Sequence, residues 1–90
     1  MTMSMNSPMN SKEGFVLDVG KNLRHLRIQR GLSLERLAKV SGVSRAMLSH
    51  VELGQSAPTI VTLNKIAKGF EISTLSLLTI VLRESSHAFL

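Results

Sequence analysis

At 90 residues, with three phenylalanines as its only aromatics, the chain has room for one small domain with an aliphatic core, which suits a helical bundle better than a β-sandwich. Having no cysteine, it excludes disulfides and thiolate metal sites, and a reducing cytoplasm is the expected setting. The formal net charge of +5 points to a polyanionic partner or to ordinary solubility charge, two readings that charge alone does not separate.

Met1 to Gly14 is rich in Met, Ser and Asn and has no period, so residues 1–14 are expected to be a disordered lead-in, with no basic-then-apolar secretory pattern. A compact five-helix domain is expected over 15–78. Val16, Val19, Leu23 and Leu26 recur at helical spacing and mark a first helix running to about Arg30, with Gly31 placed to end it. Ser33 caps a second helix whose stripe is Leu34, Leu37, Ala38 and Ser41. Gly42 breaks it, Val43 turns inward and Ser44 caps a third helix over about 44–53. That third helix has Leu48 and Val51 as its inward stripe, and Met47 is expected to pack between helices or, alternatively, to contact a base edge. Its opposite face carries Arg45, Ala46, Ser49 and His50, short or donor-bearing side chains that suit an edge of base pairs better than a core.

Gly54 ends the third helix, and Gln55 to Pro58 form a loop. Thr59 caps a fourth helix with Leu63, Ile66, Ala67 and Phe70 buried, Ile72 packs inward and Ser73 caps a fifth. Two short helices around a tight turn, as in Ser33 to Gly54, form the arrangement that lays a helix in the major groove of DNA. Basic residues crowd the stretch from Gly20 to Glu71: Lys21, Arg24, Arg27, Arg30, Arg36, Lys39, Arg45, Lys65 and Lys68 stand against Glu35, Glu52 and Glu71.

The run LRHLRIQRGLSLERLAKVSGVSRAMLSHVELGQSAPTIVTLNKIAK resembles the phage-repressor-like (Xre/Cro-type) helix-turn-helix family. The Arg-rich first helix, Gly31, the LAxxSGVS turn, the VELG end, Pro58 and an apolar fourth helix all match, over well over half of the chain. The resemblance implies an all-α fold and a third helix docked in the major groove of double-stranded DNA. It implies Arg45, Ala46, Ser49 and His50 as base readers, Arg45 through the O6 and N7 of guanine or alternatively through a phosphate. Ser33, Ser44, Thr59, Ser56, Arg30, Lys39 and Arg36 are the implied phosphate partners, the hydroxyls aided by helix N-termini. Arg27 and Glu52 match a family pair that ties the first helix to the end of the third. Two positions depart from the family pattern. Leu34 stands where many relatives carry a backbone-contacting Gln, and Glu71 stands where many carry Gly, which predicts a short or irregular end to the fourth helix.

From Leu75 to Leu82 most residues are apolar, yet the run is far short of the roughly 20 residues a membrane span needs. Ile72, Leu75 and Leu78 are expected to close the domain, leaving Leu77, Ile80, Val81 and Leu82 partly exposed. Residues 79–90 then read as an extension serving as a homodimer contact, as the start of a linker or strand toward a sensor domain, or as plain packing of a longer helix. Ser85 to Leu90 reads as a frayed tail. The leading function is a sequence-specific transcriptional regulator, a repressor on a palindromic operator. The alternative is an antitoxin or protein-interaction module using the same fold with the apolar segment as its partner surface. No carboxylate pair, activated nucleophile or metal cluster supports an enzyme, and no cofactor is expected.

Overall fold

The computed structural model describes residues 11–83, with side chains from Asp18 onward. They form five helices: α1 (Ser11–Gln29), α2 (Leu34–Ser41), α3 (Arg45–Glu52), α4 (Ile60–Phe70) and α5 (Thr74–Val81). No strand occurs among the described residues. The all-α, five-helix class expected from the sequence is the class observed.

Each of the last four helices opens on a hydroxyl. Ser33, Ser44, Thr59 and Ser73 accept hydrogen bonds from the backbone N–H groups of Arg36, Met47, Thr62 and Ser76. Such a cap satisfies one orphan donor and contributes about 1 kcal/mol to helix stability. The ends of α1, α3 and α4 share one device, a left-handed residue followed by two backward hydrogen bonds. At α4 the Glu71 N–H bonds Lys68 O and the Ile72 N–H bonds Ala67 O.

That regular end corrects the expectation of a short or irregular fourth helix. Glu71 adopts the left-handed turn at φ 62° itself, without a glycine. Gly69 serves a different need. A Cβ there would stand 3.0 Å from Ser41 Cβ and 3.2 Å from Leu37 Cδ1, so the missing side chain lets α4 lie against α2. Gly20 does the same for α1 on α3, where a Cβ would overlap the Val51 carbonyl oxygen.

The core is aliphatic with one ring. Val19, Leu23 and Leu26 of α1, Leu37 of α2, Val43, and Leu48 and Val51 of α3 are buried with Leu63, Ile66, Ala67 and Phe70 of α4. Leu34 and Ala38 pack half-buried against this cluster.

Two boundaries shift. Residues 11–14, read as lead-in, form the first turn of α1, while 1–10 lie outside the described residues. The boundary expected at 78 falls inside α5, whose helix continues to Val81. Residues 79–81 therefore begin no strand, and 84–90 lie outside the described residues.

The inward face of α5 also differs from expectation. Leu77 and Val81 are fully buried, Leu78 and Ile80 are half-buried, and Leu75 is 74% exposed. The rotation is set from α1. Asn22 donates its side-chain amide to Val81 O at 3.0 Å and to Arg83 O at 2.7 Å, satisfying carbonyls at the end of α5.

Candidate nucleic-acid interface

The turn between α2 and α3 is fixed residue by residue. Gly42 takes φ 77° and its N–H bonds Ala38 O. Ser41, itself buried, accepts from the Val43 N–H at 3.2 Å. Val43 turns into the core, and Ser44 then caps α3. With Leu48, Val51 and Glu52 buried beneath it, α3 keeps one face outward.

That outward face gathers the residues expected to read bases. Arg45, Ala46 and His50 are exposed and Ser49 is half-buried. Met47 joins them at 40% exposure, a correction to its expected place between helices. The cause is its register: one position ahead of Leu48, it lies outside the buried stripe that Leu48 and Val51 define. Arg45 has a neighbour that the sequence reading did not single out. Its Nε stands 3.0 Å from Glu35 Oε2. Glu35 is two residues past the Ser33 cap and Arg45 one residue past the Ser44 cap, so first turns of successive capped helices were the available signal.

The residues expected to meet phosphates fall into three settings. Ser33, Ser44 and Thr59 are exposed caps, and a capping hydroxyl keeps its own O–H for a second partner. Thr59 Oγ1 uses it on Thr62 Oγ1, at 3.1 Å. Arg36 and Lys39 lie exposed on α2, and Ser56 is half-buried in the loop before α4. Arg30 already has partners within the domain: its Nη1 donates to Phe70 O at 3.3 Å and its guanidinium lies 6.0 Å over the Phe70 ring. Those contacts place Arg30 on the C-terminus of α4, where a cation is favoured.

Arg27 and Glu52 form a two-pronged pair. Nε donates to Oε2 at 2.7 Å and Nη2 to Oε1 at 3.0 Å, with side chains only 12% and 5% exposed. Nη1 donates to Leu32 O at 2.8 Å, so one guanidinium joins α1, the α1–α2 turn and the end of α3. Donating to the Glu52 carboxylate holds the Arg27 guanidinium above its ordinary pKa, against the opposing pull of burial.

Among the described residues, no group of three or more His, Cys, Asp or Glu could hold a metal ion, and no helix is long and apolar enough to cross a membrane. A family model described as helix-turn-helix matches residues 23–77. The chain belongs to the helix-turn-helix family. Membership makes the domain a DNA-binding module of transcription regulators and not an enzyme. The HTH-type transcriptional regulator SutR of Escherichia coli (strain K12) is 54% identical over 50 residues, which are 56% of this chain and 28% of that protein. The crystal structure of an HTH_3 family transcriptional regulator from Vibrio cholerae matches with TM-score 0.70 and 43% identity, covering 77% of this chain and 39% of the other. The restriction-modification controller protein C.AhdI from Aeromonas hydrophila matches with TM-score 0.65 and 37% identity, over 69% of this chain and 94% of that one. The helix-turn-helix match thus spans less than two thirds of the first two relatives and nearly all of the third.

Proposed function

We propose that this chain is a sequence-specific transcriptional repressor that binds a palindromic operator as a homodimer, with α3 in the major groove. The observation that carries the reading is the outward face of α3. Arg45, Ala46, Met47 and His50 are exposed there on a helix whose other face is locked into the core. Arginine at the start of such a helix reaches the O6 and N7 of guanine, alanine and methionine meet a thymine methyl, and serine and histidine bond either edge. Ser33, Ser44, Thr59, Arg36 and Lys39 flank the face as phosphate partners and hold its register without reading sequence.

Exposed apolar surface supports the homodimer. Ile60, Val61, Leu75 and Leu82 are exposed, Leu75 at 74% and Leu82 at 49%. Ile60 and Leu82 flank a groove of about 220 Å³ that Pro58, Leu63 and Leu78 also line. A patch of this kind on a small domain serves a partner surface. A second copy pairing there two-fold would carry two α3 helices to half-sites about 34 Å apart. A bound dimer excludes other proteins from the operator, which is repression by occupancy.

A salt titration of binding to duplex DNA tests the reading. Affinity should fall steeply as salt rises, with a logarithmic slope of about −0.9 for each phosphate contacted. A flat response would overturn the DNA-bound role.

A further inference from the structure

Arg45 does not meet solvent alone. Its Nε and Glu35 Oε2 are 3.0 Å apart across the first turns of α3 and α2, with side chains 57% and 70% exposed. An ion pair this open adds little to stability. The positive end of α2 favours an acid in its first turn, but that does not call for one within reach of a base reader. On a surface that meets a polyanion, every carboxylate opposes binding to all sequences alike.

We infer that Glu35 is a positioning residue that sets base selectivity through Arg45. The inference rests on the reading of Arg45 as a base contact. Two effects act together. A guanidinium approached at Nε reaches the groove with fewer rotamers to lose, so less of its binding to guanine is spent on ordering. With Nε engaged by the carboxylate, the terminal N–H groups of the guanidinium are left to face the groove, where guanine offers two acceptors and the other bases one or none. Glu35 thus lowers affinity for DNA in general and raises the preference at one base pair in each half-site.

The test uses the full chain and a duplex enriched by it from a random pool, with every base pair varied in turn. Glu35→Gln keeps the shape and removes the charge. It should bind random-sequence duplex more tightly and lose about threefold to tenfold of its preference at one base pair. That base pair should be the one that Arg45→Ala relaxes, and Glu35→Gln should change no preference in the Arg45→Ala background. Glu35→Asp keeps the charge but shortens the reach, so it should lose preference without gaining affinity for random sequence. If Arg45→Ala relaxes one base pair while Glu35→Gln keeps full preference there, the positioning role is overturned and Arg45 still reads a base. If Arg45→Ala weakens all sequences equally, the base-reading role falls and the inference falls with it.

Discussion

At φ 62°, Glu71 holds a backbone conformation that a side chain disfavours, while Gly69, two residues earlier, sits inside α4. Both placements have a physical reason. Gly69 is where α4 meets Ser41 and Leu37 of α2, and Glu71 has to turn the chain so that Ile72 can return to the core. Glu71→Gly should therefore stabilise the domain by about 1 kcal/mol. Thermal unfolding followed by circular dichroism should show the midpoint rising by about 4–8 °C, and an unchanged or lower midpoint would show that the turn is not strained. The sequence gives away the conflict, since glycine is missing from a position that wants it. It does not give away the remedy, because a close approach of two helices is a tertiary fact. Met47 shows the same limit. Its apolar side chain suggested a core position, and only the register of α3 turns it outward.

Among the elements, α1 is tied to α3 by the Arg27–Glu52 pair, in a nearly dry place. Arg27→Ala leaves Glu52 buried without a partner and should cost about 3–5 kcal/mol, read as a loss of urea stability or as failure to fold. Replacing both residues with apolar ones of similar volume, Arg27→Met with Glu52→Leu, should recover most of the loss. An unaltered urea midpoint in Arg27→Ala would contradict the clamp. Because the folded pKa of Arg27 is raised, the pair's contribution is fully present below the unfolded value and is lost only as pH climbs through the folded one, in strong alkali. It is constant across the neutral range. The pair itself came from the family resemblance, not from spacing, and nothing in the sequence announced the third bond to Leu32 O. Capping residues were more legible: Ser33, Ser44, Thr59 and Ser73 each precede an apolar stripe, and each caps a helix. In α5 the stripe failed as a guide. When nearly every position is apolar, periodicity selects no face, and Asn22 on α1 settles what the pattern leaves open.

For the molecule as a whole, an aliphatic composition and short stripes separated by Gly and Ser were enough to indicate a five-helix bundle, since helical order here is local in sequence. The interface was legible in part for the same reason. Residues on one face of α3 are fixed by its period, but Glu35 and Arg45 meet across two helices, and that meeting depends on how α2 and α3 cross. The apolar surface around Ile60, Leu75 and Leu82 is likewise a product of assembly, as the rotation of α5 exposes Leu75 and buries Leu77. A pair of domains joined there would turn a single reading helix into a two-fold reader. Selection of bound duplexes from a random pool tests this most directly. The account predicts enrichment of a two-fold symmetric site with half-sites about one helical turn apart, each with a guanine whose replacement weakens binding by about 1–3 kcal/mol. A pool that stays random through repeated selection would contradict it.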